Sequence, residues 1–265
     1  MNRVRSVLAA LALALPVLAF AQAAEVVDLP TRAGVTERLL VLPDAAPTAV
    51  AVLLTGGNGH LDIAGNGFIR RDANFLVRSR DLFAQQGFAV VVVDVPSDHA
   101  SPPYLGGDFR ASPEHAADLG AVVAWARGRF GKPVWVIGTS RGTQSAANAG
   151  LRLQGAQAPD GIVLTSTILG RSRFGDSTAP PLTEMDLTGL RQPVLVVHHA
   201  HDPCGVCPPE RLPELMKHLP AGAVLKTVDG GASRGGACDP WSHHGYNGIE
   251  GEVVGVIAAW IREHQ

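Results

Sequence analysis

The hydrophobic residues of this chain fall mainly into short continuous runs rather than into an alternating pattern. Such runs, rich in β-branched residues, are typical of strands that are buried on both faces of a sheet. The pattern predicts six of these strands: Ala49–Gly56, Phe88–Pro96, Val134–Ser140, Gly161–Leu169, Pro193–His201 and Ala223–Gly231. Two further apolar segments before Pro43 predict an antiparallel hairpin at the edge of the same sheet.

Helical patterns separate the predicted strands. They cover residues 72–87, 112–131, 210–220 and 249–264, and Ser112 has the character of a helix N-cap. Strands that alternate with helices predict right-handed crossovers and a mostly parallel sheet of about eight strands, with helices on both faces. Ligands of such sheets bind at the carboxyl ends of the strands, which is where this chain places its unusual residues.

The first residues predict a signal for export rather than part of the fold. A short basic start is followed by an apolar run that contains Pro16 and ends in small residues, with cleavage expected after Ala21 or Ala23. The run is short for a membrane span. We therefore predict a signal peptide over residues 1–23 and a periplasmic or secreted protein.

The remaining 24–265 segment is long enough for one domain with a sizeable core. Removing Arg3 and Arg5 changes the formal net charge from −2 to −4, and no basic cluster points to nucleic acid. No later segment is apolar for long enough to span a bilayer, so no membrane association is expected after signal cleavage. The sequence leaves the oligomeric state open.

The segment Gly138–Gly142 has the form Gly-x-Ser-x-Gly at a predicted junction between a strand and a helix. In such a nucleophile elbow, the two glycines leave room for a tight turn that lifts the serine hydroxyl above the sheet. Small residues follow at helical spacing, as the motif requires. We therefore predict that Ser140 is a nucleophile.

A nucleophilic serine needs a base and an acid that orients the base. Asp202 follows a later predicted strand, while His243 and His244 lie between the last strand and the last helix. This is the order Ser, Asp, His that the motif leads us to expect. His244 is preferred as the base because Gly245 leaves the loop room to turn the ring. A helix cap is the alternative role for Asp202.

An oxyanion hole is expected from two backbone amides. The amide of Arg141 directly follows the nucleophile, and the glycine-rich loop after the first buried strand supplies the second. Gly57 is the first choice for this second amide and Asn58 is the alternative.

These motifs resemble those of serine hydrolases with the α/β-hydrolase fold. The resemblance covers the chain from Val26 to the last helix, and the "FLVRSR" and "HGYNGIE" segments are similar to those of exported bacterial hydrolases. It implies an acyl-enzyme mechanism without a cofactor. Thr139 and Arg141 depart from the residues that are common in lipases and esterases, and the segment between Leu169 and Asp186 is short for a lid.

Three other functions remain open from the sequence. One is a metal site built from the cluster His198, His199, His201, Asp202, Cys204 and Cys207. Strand alternation would divide these histidines between two faces of the sheet, so no metal is predicted. The others are a peptidase of the same fold and a binding protein that has lost activity.

Three cysteines in an exported protein leave one thiol that is either unpaired or paired with another molecule. A Cys204–Cys238 bridge is favoured because it would tie the loop of Asp202 to the loop of His244. Cys207–Cys238 is the alternative. A redox role for the Cys204-x-x-Cys207 motif is disfavoured because prolines follow it.

The predicted function is hydrolysis of a small carboxylic ester, with an amide as the alternative substrate. Ser140, His244 and Asp202 form the predicted triad, and the amides of Gly57 and Arg141 hold the oxyanion. Arg70, Arg71 and Arg110 are interpreted as solvated surface residues, with attraction of an anionic substrate as the alternative.

Overall fold

The structure is a computed structural model that describes residues 23–106, 108–171 and 179–265. The predicted signal peptide lies outside these ranges except for its last residue, Ala23. Part of the predicted short lid, residues 172–178, also lies outside them.

Eight strands form one sheet in the order β1-β2-β4-β3-β5-β6-β7-β8. In this order, every two neighbouring strands from β4 to β8 are parallel. The pairs β1 with β2 and β2 with β4 are antiparallel. The predicted edge hairpin is therefore confirmed. The strands are β1 (Glu25–Arg32), β2 (Val35–Leu42), β3 (Ala49–Leu54), β4 (Phe88–Pro96), β5 (Val134–Thr139), β6 (Gly161–Thr165), β7 (Val194–His199) and β8 (Val224–Val228).

Helices cover the sheet on both faces, and each face has its own apolar core. Val52 and Val136 face the core formed with α3, α4 and α5, whereas Leu53 and Ile137 face the core formed with α1, α2 and α6. Neighbouring strand residues thus point to opposite faces, as a strand covered on both sides requires. The helices are α1 (Phe75–Arg78), α2 (Arg80–Gln85), α3 (Pro113–Phe130), α4 (Gly142–Arg152), α5 (Leu212–His218) and α6 (Glu250–Glu263).

Two predicted elements differ in the structure. The helical pattern over residues 72–87 forms two short helices, α1 and α2, which are separated at Ser79. The strand predicted to reach Leu169 ends at Thr165, because Ser166 has a left-handed φ of 43°. The prediction for Ser112 is confirmed: its side chain accepts a hydrogen bond from the amide of His115 at the start of α3.

The carboxyl ends of β3, β5, β6 and β7 meet at one edge of the sheet, since all four strands are parallel. Among the described residues, no helix is both long enough and apolar enough to cross a bilayer. The loops at the carboxyl edge carry Ser140, Asp202 and His244, the residues of the predicted triad.

Candidate active site

Ser140 lies in a sharp turn between β5 and α4. Its φ of 52° is unusual for a residue with a side chain. The Ser140 amide donates a hydrogen bond to the carbonyl of Thr165, and the Thr143 hydroxyl donates one to the carbonyl of Ser140. These bonds hold the strained turn at the end of the strand.

The flanking glycines are required by close backbone contacts. A Cβ atom on Gly138 would lie 2.3 Å from the carbonyl oxygen of Gly142. One on Gly142 would lie 2.2 Å from the carbonyl oxygen of Leu54 in β3. Both distances are shorter than any real Cβ contact, so the elbow closes only with glycine at both positions.

Asp202 and His244 are in direct contact. Nδ1 of His244 and Oδ2 of Asp202 are 2.9 Å apart, and both side chains are nearly buried. The other oxygen of Asp202 accepts a hydrogen bond from the amide of Cys204 at 2.9 Å. A carboxylate held in this way can fix the tautomer and the orientation of an imidazole.

The loop that contains His244 is held by Ser166 and Tyr246, two residues whose roles were not predicted from the sequence. The Ser166 hydroxyl donates to the carbonyl of His244 at 2.7 Å. The buried Tyr246 hydroxyl accepts from the amide of Ser166 and donates to the carbonyl of Val197 at 2.8 Å. The loop of His244 is therefore attached to the ends of both β6 and β7.

His243 faces a different environment. Its ring stacks on that of His199 at 4.3 Å between centroids. The geometry thus places His244, and not His243, beside Asp202.

Ser140 and His244 line the same open pocket, which has a volume of about 440 Å³. Among the described residues, no hydrogen bond joins the His244 ring to the Ser140 hydroxyl. Such bonds are often long before substrate binds and shorten in the complex. The loop residues Gly57 and Asn58 line this pocket as well.

Arg110 supports the loop that contains Gly57. Its Nη2 donates to the carbonyls of Thr55 at 3.1 Å and Gly57 at 3.3 Å, and its Nη1 donates to Ser145 in α4. The interpretation of Arg110 as a solvated surface residue is wrong, because its side chain is buried and these acceptors replace water. Burial and the charge of Arg141 lower the pKa of Arg110.

Cys204 and Cys238 form a disulfide, which is the pairing favoured from the sequence. Cys238 lines the same pocket as Ser140 and His244. Cys207 is free and buried, and its thiol lies beside the Ser140 side chain. Burial raises the pKa of this thiol well above its usual range, so the reactive thiolate is disfavoured.

The residues of the hypothetical metal site have other partners. Nε2 of His198 donates to the carbonyl of Cys207, and Nε2 of His199 donates to that of Gly230, each at 2.9 Å. Sulfur atoms of Cys204 and Cys207 lie within 4.8 Å of a ring nitrogen of His244. The disulfide occupies the Cys204 sulfur, so this group offers too few ligands for zinc.

No model of a protein family matches the chain, and no curated protein sequence matches it. Solved structures do resemble it. An esterase from Pyrococcus furiosus has a TM-score of 0.63 at 15% identity, over 91% of this chain and 92% of that one. A predicted CIB-like hydrolase from Thermoplasma acidophilum has a TM-score of 0.59 at 17% identity, over 91% and 99%.

A third similar structure is an α/β serine hydrolase without lid from Xanthomonas campestris. Its TM-score is 0.52 at 20% identity, over 94% of this chain and 97% of that one. With these three likenesses and its own sheet order, the chain has the α/β-hydrolase fold. The predicted fold class is thereby confirmed.

Proposed function

We propose that the protein is an exported serine hydrolase that cleaves small carboxylic esters through an acyl-enzyme intermediate. The observation that carries the proposal is the contact of His244 with Asp202 beside the elbow of Ser140. The esterases and hydrolases among the similar structures support the same reaction class. Fold similarity alone would not be sufficient, since one fold supports many activities.

In the proposed reaction, the Asp202 carboxylate accepts a hydrogen bond from Nδ1 of His244. Nε2 of His244 is then free to accept the proton of the Ser140 hydroxyl while the oxygen attacks the ester carbonyl. The protonated imidazole next gives this proton to the departing alcohol. Water attacks the acyl-enzyme with the same base, releasing the acid and restoring Ser140.

The oxyanion of each tetrahedral intermediate is proposed to bind the amides of Arg141 and Gly57. Arg141 lies at the beginning of α4, where the helix dipole favours negative charge. Arg110 beneath the Gly57 loop holds that loop in place and adds a nearby positive charge. Asn58 is the alternative donor, since it lines the same pocket.

Export is supported by the disulfide, which is stable in oxidising compartments. The pocket volume of about 440 Å³ suits a small ester as substrate. N-terminal sequencing of the exported protein, after expression of the full chain, tests cleavage after Ala21 or Ala23.

The test is hydrolysis of 4-nitrophenyl acetate and butyrate by the 24–265 protein. We expect Ser140→Ala to lose activity by several orders of magnitude, because the nucleophile is removed. Ser233→Ala is the matched control, since Ser233 is exposed and does not line the pocket.

A fluorophosphonate probe reports on the serine independently of the substrate. We expect the probe to label the wild type and the Ser233→Ala variant but not Ser140→Ala. No labelling of the wild type would contradict the proposal and favour a binding protein. Labelling without ester hydrolysis would favour a peptidase or amidase.

A further inference from the structure

The active-site pocket has a strongly uneven charge. Of the described residues that line it, Arg71 is the one with a permanent charge, and no aspartate or glutamate is among them. Apolar side chains such as Leu61 and Phe75 form other parts of the wall. A substrate in this pocket therefore meets a cation without a competing carboxylate on the wall.

Neighbouring groups hold Arg71 at the pocket. Its backbone amide donates to the carbonyl of Leu61 at 3.1 Å. Its guanidinium carbon lies 5.7 Å from the centroid of the Tyr104 ring, within the range of a cation–π contact. Tyr104 in turn stacks on His60, with centroids 4.4 Å apart, and His60 also lines the pocket.

The other two arginines considered from the sequence already have partners. Arg70 forms an ion pair with Asp62 at 2.6 Å, and Arg110 is buried among carbonyl and hydroxyl oxygens. Over the described ranges, no carboxylate forms an ion pair with Arg71. Its side chain is exposed, so its hydrogen-bond donors are accessible to a ligand.

We propose that Arg71 selects esters that carry a second, free carboxylate. This carboxylate would pair with the Arg71 guanidinium while the ester carbonyl lies at Ser140. Arginine suits this role because its planar donors match a carboxylate in a charge-assisted pair. The inference rests on the proposed esterase function and names its substrate class: a monoester of a dicarboxylic acid, or a hydroxy acid that is acylated at its hydroxyl group.

Two pairs of substrates test the inference and distinguish the two positions of the carboxylate. Monomethyl adipate and methyl hexanoate differ by a carboxylate on the acyl side, and their hydrolysis is followed in a pH-stat. 4-Acetoxybenzoate and 4-acetoxybenzamide differ on the alcohol side. We expect kcat/KM of the wild type to be about ten-fold higher for the anionic ester in at least one pair.

The variants Arg71→Gln and Arg70→Gln separate the two neighbouring arginines. Arg71→Gln should remove the preference by lowering kcat/KM for the anionic ester about ten-fold, to the value for the neutral ester of the same variant. Arg70→Gln should retain the preference, because Arg70 is paired with Asp62. Arg71→Glu should favour the neutral ester, and added salt should weaken the preference of the wild type.

Equal kcat/KM within both pairs would overturn the inference and leave the proposed function intact. A preference that survives in Arg71→Gln would also overturn it. If no ester is hydrolysed and the fluorophosphonate probe does not react, the proposed function itself fails. Thermal unfolding of each variant verifies that the exposed substitutions leave the fold unchanged.

Discussion

Two carboxyl groups are buried near opposite ends of the sheet, and their surroundings differ. Glu37 on β2 is 0% exposed and Asp202 after β7 is 5% exposed. Both oxygens of Asp202 accept hydrogen bonds, from Cys204 and from His244. Neither oxygen of Glu37 has a hydrogen-bond partner among the described residues.

The two carboxyl groups therefore have different consequences for the protein. Burial raises the pKa of Glu37 well above its usual range, and the nearby Asp118 adds to this effect. Glu37 is thus favoured in its neutral form, whereas Asp202 is surrounded by donors that suit a carboxylate. Burial alone therefore does not identify a candidate catalytic carboxylate; the contact with His244 distinguishes Asp202 from Glu37.

The largest expected effect comes from the same chemical change at both sites, carboxylate to amide. Asp202→Asn should lower kcat by about three to four orders of magnitude, because the amide can no longer hold His244 in the required tautomer. Glu37→Gln should leave kcat unchanged. Steady-state hydrolysis of 4-nitrophenyl butyrate by both folded variants measures the difference.

Comparable activity of Asp202→Asn and the wild type would remove the distinction between the two sites. It would favour the alternative that the sequence left open for Asp202, the role of a helix cap. Labelling by a fluorophosphonate should fall in parallel with kcat, since both depend on an activated Ser140.

The second prediction concerns the disulfide, which has no counterpart at Glu37. The backbone amide of Cys204 donates a hydrogen bond to Asp202. The bridge between Cys204 and Cys238 closes a loop with a sequence separation of 34 residues. Cys238→Ser should lower the free energy of unfolding by about 3–4 kcal/mol, because the unfolded chain gains freedom. Denaturant unfolding measures this loss.

Activity should fall as well, since the bridge ties the loop of Asp202 to that of His244. Reduction of the wild type should reproduce the effect of Cys238→Ser. Cys207→Ala retains the bridge, so its stability should remain sensitive to a reductant. An unfolding free energy of Cys238→Ser equal to that of the wild type would show that the bridge is not needed to hold the two loops.

Much of the fold follows from local patterns in the sequence. The apolar runs indicate the buried strands because parallel strands are covered on both faces. The ends of elements are harder to predict, as Ser79 and Ser166 illustrate. The break at Ser166 depends on contacts with β7 and Tyr246, which are distant in the sequence.

The candidate site also combines residues that local sequence patterns predict with residues that depend on distant contacts. Gly138, Ser140 and Gly142 form a motif that is visible in the sequence, and the order of Asp202 and His244 follows from the fold. The buried position of Arg110 was not predictable, because its acceptors lie in the loop after β3 and in α4, both distant in the sequence. The triad and the oxyanion amides themselves stay predictions until activity is measured.

The smallest expected effect on activity is at the Glu37 end of the sheet, where a substitution should change stability alone. The unfolded chain ionises Glu37 near its ordinary pKa of 4.5, whereas the folded protein retains the proton to higher pH. The folded state then binds more protons than the unfolded state. Stability from this group is present below pH 4.5 and falls as pH rises, by at most about 1.4 kcal/mol per pH unit.

Glu37→Gln removes this ionisation, so the variant does not lose this stability. Its free energy of unfolding, minus that of the wild type, should therefore increase as pH rises from 5 to 8. Glu263→Gln makes the same change at an exposed position and is the control. Urea unfolding across this pH range gives the measurement. A difference between Glu37→Gln and the wild type that does not vary with pH would mean that Glu37 is ionised in the folded protein. The contrast between Glu37 and Asp202 would then rest on their hydrogen-bond partners alone.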